Sequence, residues 1–426
     1  MVACQLYKGV SVIVHLIYMK LNFIDLFAGC GGLSEGFLQT NYFNGLAHIE
    51  WETPMVNTLR NRLVTNWGES VEKAKEKVIQ FDLQKTNELL YGNWSEETRN
   101  QYQKFNSTKI LDGLDSLLKG EKIDVLIGSP PCQAYSIHGR AKDKDSMAND
   151  YRNYLFKSFV EIVNHYKPEV FVFENVEGIL SAKPNGISII NEIYKSFKEI
   201  GYCILEPENM KNALFNAGDF NVPQHRPRVI IFGVKEGNGL NLNDFYTTLR
   251  SKVSKIKPTV KDAIGSLPPI FPNEVVTKIK NKNCSHHSTD DKDIFHQPRH
   301  CSARDLSIIK TWIENDMNSF SHKEAIEFYK KVTGKDTLYI KYRNLEWNKQ
   351  SPTIVAHLQK DGFMFLHPDA RQSRFITIRE AALLMTFPKD FEFVGANSIC
   401  YKMIGNAVPV NFAKSIAETI YEVLTR

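Results

Sequence analysis

Alternation of strand-like and helix-like segments over the first half of the chain predicts an α/β fold: a doubly wound, mostly parallel sheet joined to a smaller irregular domain. Three observations carry this reading. Apolar β-like runs at 23–27, 46–50, 123–127, 170–174 and 229–234 are separated by stretches of helical periodicity such as Leu155 to Tyr166, the pattern that builds βαβ units. The first run ends in a glycine-rich turn, Gly29-Cys30-Gly31-Gly32. The rhythm stops near Val234, and strong periodicity returns only in Arg379 to Phe387 and Val410 to Leu424.

Taken in order, residues 1–19 read as a dispensable extension. Val10 to Tyr18 is apolar but interrupted by His15, too short for the roughly 20 residues that span a bilayer, and no small-residue cleavage site follows it. Residues 20–235 are expected to form a catalytic and cofactor-binding domain, completed by 396–426. Between them, 236–395 is expected to be a smaller target-recognition domain and hinge. Its first part, to about 350, carries Lys252, Lys255, Lys257, Lys261, Lys278, Lys280 and Lys282 among prolines 258, 268, 269 and 272. Taken alone, a basic, aperiodic insert of this kind is as often a solvated face as a surface for an anionic partner.

The chain has 426 residues, 42% hydrophobic and 24% charged, with a net charge of +5. This is ordinary globular composition, and the charge favours an anionic partner only mildly. Its seven cysteines are odd in number and scattered, which argues against a disulfide framework and for a reducing cytoplasm. Cys284, His286, His287, His296, His300 and Cys301 lack a Cys-x-x-Cys pairing, so no metal is expected. The segment His296-Gln297-Pro298-Arg299 reads instead as a loop anchor.

The glycine turn follows Phe23-Ile24-Asp25-Leu26-Phe27. Ser34 stands where a dinucleotide fingerprint would need its third glycine, so a pyrophosphate is the poorer fit. An adenosine-type ligand fits better: Glu50 ends the second strand, where its carboxylate can accept ribose hydroxyls, and Trp51 offers a face to adenine. Asp82, after Ile79-Gln80-Phe81, is placed to accept from the adenine amino group. Next, Ser129-Pro130-Pro131-Cys132-Gln133 puts one thiol on a stiff loop after a strand, which makes Cys132 a candidate nucleophile. Phe171-Val172-Phe173-Glu174 leads an apolar strand into a single acid, suggesting a carboxyl held in a cleft. Ser136 to Asn153 is polar, with Arg140, Lys142, Lys144 and Arg152, a composition suited to a mobile loop.

From Leu21 onward the chain resembles the DNA (cytosine-5) methyltransferases. The resemblance rests on six ordered segments: Asp25 to Gly32, Ser129 to Gln133, Glu174-Asn175-Val176, Gln224-His225-Arg226-Pro227-Arg228, Arg379 to Ala382 with Phe387-Pro388, and Gly405-Asn406-Ala407-Val408-Pro409. Met385 stands where glutamine is frequent in that family, and Cys30 where isoleucine is.

The resemblance implies S-adenosylmethionine as methyl donor and S-adenosylhomocysteine as product, held by Asp25, Phe27, Gly29, Gly31, Gly32, Glu50, Trp51, Asp82, Pro130 and Asn406. It implies that Cys132 adds to C6 of a flipped-out cytosine and that Glu174 reads N3 and the exocyclic amine. Arg228 falls to O2, and Arg226 to positioning the loop and the DNA backbone. Gln224 is expected to support that arrangement and, with Gln133, Ser136, Arg140 and Arg379, to face the DNA. The partner implied is double-stranded DNA, with a restriction endonuclease acting separately and the enzyme working as a monomer. The transfer-RNA branch of the family keeps the Pro-Pro-Cys nucleophile, but its members look shorter where this chain has its insert. A non-catalytic DNA-binding paralogue is the rival from another class, and intact Cys132, Glu174 and Arg228 argue against it.

Overall fold

The computed structural model describes residues 20–131, 155–279, 282–290 and 292–426. The sheet comprises β1 (Leu21–Leu26), β2 (Phe43–Glu50), β3 (Val78–Gln80), β4 (Val125–Gly128), β5 (Val170–Val176), β6 (Tyr202–Cys203), β7 (Leu214–Asn216) and β8 (Pro227–Lys235). Their spatial order is β3-β2-β1-β4-β5-β8-β6, with β7 also on β8. β3, β2, β1, β4 and β5 are mutually parallel. β8 runs antiparallel to β5, and the short β6 and β7 run antiparallel to β8. The parallel strands are mostly apolar because helices cover both faces, with polar residues such as Asp25, Glu50, Gln80, Glu174 and Asn175 gathered toward their carboxyl ends.

Each expected strand is present within a few residues. β1 stops at Leu26, one residue before the expected end, because Phe27 turns to a left-handed φ of 59°. On one face Phe159, in the helix Leu155–Tyr166, packs edge-on against Phe171 and Phe173 of β5. On β8, Phe232 stacks on Phe245 of the helix Leu242–Ser251, at 4.0 Å between rings. The sheet's core therefore reaches Leu249, past the boundary expected at 235. The terminal helix Val410–Leu424 returns to the helix Gly32–Gln39, where a Cβ on Gly36 would lie 2.4 Å from the Ala413 Cβ.

The region read as irregular holds more order than its sequence suggests. It contains the hairpin β9 (Ile270–Ile279) with β10 (Lys282–Ser288) and the helices Ala303–Glu314 and His322–Thr333. Ser302 caps the first helix, and a Ser321–Glu324 capping box opens the second, each satisfying otherwise orphaned N–H groups. Trp312, Tyr342 and Phe375 centre one small core. A second core, around Ile354, Phe391 and Tyr401, also takes in Cys30 and Met55 from the sheet domain. No helix among the described residues is long and apolar enough to cross a membrane.

Candidate active site

β1 has β2 on one side and β4 on the other, so the chain departs in opposite directions from the gap between them. Ligands of such sheets bind in the crevice at the carboxyl ends of the strands there. A cavity of about 430 Å³ occupies that place, lined by the ends of β1, β2, β4 and β5, by Asp82, by Lys402 and Met403, and by Gly405 to Val408.

One wall is the glycine turn. Gly31 has φ of 89° and caps the helix Gly32–Gln39, and a Cβ there would lie 2.5 Å from Leu59 Cδ1. Its neighbour Gly32 faces the carbonyl of Val408, 2.5 Å from where a Cβ would stand. Gly29 N–H donates to Glu50 Oε2 at 2.8 Å, while the N–H groups of Trp51 and Glu52 donate to Glu50 Oε1 at 2.8 and 2.9 Å. Burial leaves the Glu50 carboxyl's proton affinity above the ordinary carboxylate value, and these backbone donors offset part of that rise. Beside it, burial pushes Asp25 up to about 7 against the hydrogen bond from Ser34. Ser34 Oγ lies 2.5 Å from Asp25 Oδ2 and 2.8 Å from His48 Nδ1. Asp25 is among the residues that line the same crevice, and its Oδ1 is buried with no partner among the described residues. Trp51 is 49% exposed, and Asp82, which caps a short turn by accepting from Gln84 N–H at 3.0 Å, lines the far end of the cavity.

The opposite wall carries the acid and the arginines. The side chain of Asn175 donates to Pro130 O at 3.3 Å, tying the Ser129-Pro130-Pro131 segment to β5. Cys132, Gln133, Ser136 and Arg140 lie outside the described residues. Because β8 runs antiparallel to β5, its beginning stands at the edge where β5 ends: Glu174 pairs in register with Ile230, and Val176 with Arg228. Glu174 and Arg228 are thus diagonal neighbours, and Arg228 Nε lies 2.9 Å from Glu174 Oε1 in a pair only 10% and 8% exposed. Arg226 is buried. Its guanidinium donates to Ile354 O at 2.6 Å, Gly405 O at 2.9 Å, Ala407 O at 2.8 Å and Gln224 Oε1 at 3.3 Å. It thereby holds the backbone on either side of the exposed, cavity-lining Asn406.

Two residues expected to face DNA sit inside the protein. Gln224 is fully buried, donating to Leu384 O and accepting from Ile354 N–H. Arg379 is buried, with its Nε 2.6 Å from Asp293 Oδ2 and another N–H on Phe391 O. Both brace the framework in this structure, because their hydrogen-bonding groups are spent internally. Of the insert's lysines, Lys252 pairs with Glu418 and Glu422 of the terminal helix and Lys257 with Asp219 at 2.7 Å. His296 bonds Thr377 Oγ1 and Pro268 O, fastening its loop. Among the described residues no group of three or more His, Cys, Asp or Glu could hold a metal ion. Sequence reading missed the Ser34–His48 link to Asp25, the Asn175 tie and the pocket-lining pair Glu52–Lys402. Only Ser34 carried a signal, as the serine that breaks the dinucleotide pattern.

The sheet order and the crevice at its switch point define an α/β fold that takes its ligand at the carboxyl ends of the strands. A solved putative DNA modification methyltransferase encoded within an E. coli prophage matches with TM-score 0.59 and 24% identity, covering 96% of this chain and 100% of that one. The Dnmt2 methyltransferase of S. pombe matches with TM-score 0.55 and 14% identity over 96% and 100% of the two chains; these likenesses concern the fold. In sequence, the family model for C-5 cytosine-specific DNA methylases matches residues 21–93 and 83–422. The Type II methyltransferase M.Bpa9945I of Bacillus paralicheniformis is 32% identical over 449 residues, covering 94% of this chain and 98% of the relative. The Type II methyltransferase M1.HphI of Haemophilus parahaemolyticus is 30% identical over 412 residues, covering 96% and 90%. The chain belongs to the C-5 cytosine-specific DNA methylases.

Proposed function

We propose that this DNA cytosine-5 methyltransferase uses S-adenosylmethionine to methylate C5 of a flipped-out cytosine in a specific double-stranded sequence, through a covalent Cys132–C6 intermediate. The observation that carries the reading is the juxtaposition of Glu174 with Arg228 on one cavity wall and Glu50 with the glycine turn on the other. The pocket's chemistry fits the cofactor. Three backbone N–H groups fill three of the roughly four acceptor positions of the Glu50 carboxylate, leaving room for a ribose hydroxyl. The unpartnered Asp25 Oδ1 suits the amino group of the methionine part, and Trp51 and Asp82 suit adenine. When bound, the cofactor supplies an electrophilic methyl on a sulfonium.

The protein's part follows from the base's chemistry. C5 of cytosine is a poor nucleophile, and addition of the Cys132 thiolate to C6 converts it to an enamine carbon. Negative charge then develops at N3 and O2. Glu174 faces N3 and the exocyclic amine, Arg228 faces O2, and their mutual hydrogen bond orients both. Asn175 holds the loop leading to Cys132. After methyl transfer a base removes the C5 proton, and the electron pair expels Cys132 as thiolate. The Type II relatives support a role in protecting DNA from a separately acting endonuclease, and the chain would act as a cytoplasmic monomer. Residues 236–395 would select the sequence, with Gln133, Ser136 and Arg140 at the base-flipping loop.

The test is methylation of genomic DNA by purified protein, read by bisulfite sequencing, with denaturant-resistant trapping on DNA containing 5-fluorocytosine. Wild type should trap and Cys132→Ser should not. Trapping by the serine variant at wild-type level refutes the nucleophile assignment, and methylation of transfer RNA with none of duplex DNA refutes the substrate.

A further inference from the structure

Two residues outside the machinery just described meet across the cofactor cavity. Lys402 Nζ lies 2.8 Å from Glu52 Oε1 and 2.6 Å from Glu52 Oε2. Both side chains line the cavity and are only about a quarter exposed, at 23% and 27%.

Their positions join its two walls. Glu52 lies two residues beyond Glu50; its N–H donates to Glu50 Oε1, and its carbonyl accepts from Met55 and Val56 to start the helix Thr53–Thr65. Lys402 lies one turn before Asn406 on the helix Asn397–Asn406, the spacing that puts both on one face. That helix cannot drift freely. Arg226 grips the carbonyls of Gly405 and Ala407. Tyr401 donates to Ile376 O and lies under the Arg299 guanidinium, 3.8 Å from its ring centre. On the other side Gln80 donates to Trp51 O and Thr53 Oγ1, fixing the segment that carries Glu52.

We propose that Glu52 and Lys402 are positioning residues that tie the ribose wall of the cavity to the Asn406 wall, and so set the cofactor's affinity without taking part in methyl transfer. This rests on the reading of the cavity as the S-adenosylmethionine site. Exposed ion pairs contribute little. This one differs because both carboxylate oxygens are engaged, the pair is largely shielded, and each partner is anchored by a separate network.

The experiment measures S-adenosylhomocysteine affinity by calorimetry, and KM for S-adenosylmethionine with kcat, in the full-length protein. Lys402→Met keeps the stem and removes the charge. It should weaken binding and raise KM by about 5- to 10-fold, the effect of losing a charge-assisted, partly shielded contact, with kcat at saturating cofactor within about twofold. Lys402→Arg should restore most of the affinity. Glu52→Gln should reproduce the loss, and the double variant should lose no more than either single one, as expected for one shared interaction. Unchanged binding in Lys402→Met, additive losses in the double variant, or a fall in kcat at constant KM overturns the proposal. If wild type fails to bind S-adenosylhomocysteine, the cofactor reading falls first and the tie with it.

Discussion

Replacing Arg226 by methionine removes one guanidinium from the junction of sheet, small domain and terminal segment while keeping a side chain of similar length. The carbonyls of Ile354, Gly405 and Ala407 each lose a donor that stands within 3 Å. A hydrogen bond with a charged partner contributes about 1.5–3 kcal/mol. The three share one side chain and the segment can relax, so the losses do not add, and about 3–5 kcal/mol is expected. That is a large part of the 5–15 kcal/mol that typically separates folded from unfolded protein. Because methionine roughly preserves volume, the packing contribution should stay below about 1.5 kcal/mol. Urea unfolding reports the change as a lower midpoint at constant m. The same variant should raise the KM for S-adenosylmethionine, since the grip on both sides of Asn406 is gone. A stability loss under about 1 kcal/mol, or an unaltered KM, would refute the view of Arg226 as the clamp on that wall.

Glu50→Ala should weaken S-adenosylhomocysteine binding by roughly 1–3 kcal/mol; unchanged affinity in calorimetry would place the ribose elsewhere. Gly36→Ala should cost about 1–3 kcal/mol by overpacking, since its Cβ would meet Ala413 Cβ at 2.4 Å and Lys414 N at 2.6 Å; equal urea midpoints would contradict that packing. Acidification should also destabilise the protein. Burial holds His48 down to about 3, His286 to about 4 and His367 to about 3. With folded values below the ordinary 6.5, their stabilising effect is complete above that pH and is lost as pH falls toward the folded values. Asp25, raised by burial to about 7, acts oppositely, costing stability increasingly from about pH 4 to 7. Between pH 7.5 and 5.5 the three histidines lose about 4 kcal/mol, against which Asp25 returns about 2 and Glu50, also raised by burial, a further part, so the net loss is well below the histidine contribution alone. Stability at pH 5.5 equal to or above that at pH 7.5 would show this balance to be wrong.

The strands, the crevice edge and the terminal helix were legible because each is a local signal: an apolar run, a glycine turn, a helical period. The helix expected over Val410 to Leu424 spans those same residues. The direction of β8 was not legible, since a strand buried on both faces reads alike in either orientation. β6 and β7, at two and three residues, are too short to leave a pattern. β10 escaped notice because Lys282-Asn283-Cys284-Ser285-His286-His287-Ser288 lacks apolar alternation. In the site, Glu50, Glu174 and the glycine turn declare themselves by closing apolar runs. Gln224 and Arg379 read as surface contacts because a long polar side chain shows nothing of the partners that bury it. Glu52 and Lys402 stand 350 positions apart, so nothing local to either could announce their meeting.

Among the described residues, the packing of the first helix, Gly32–Gln39, against the last, Val410–Leu424, has a consequence for synthesis. The ribosome delivers the glycine turn early and its covering wall nearly four hundred residues later. At about 5–20 residues per second this interval lasts roughly 20–80 seconds, during which Gly32 and Gly36 have no Val408 or Ala413 to close against. A nascent chain that stops before Val410 therefore holds an open half-site, which closes only when the helix Val410–Leu424 packs on Gly32–Gln39.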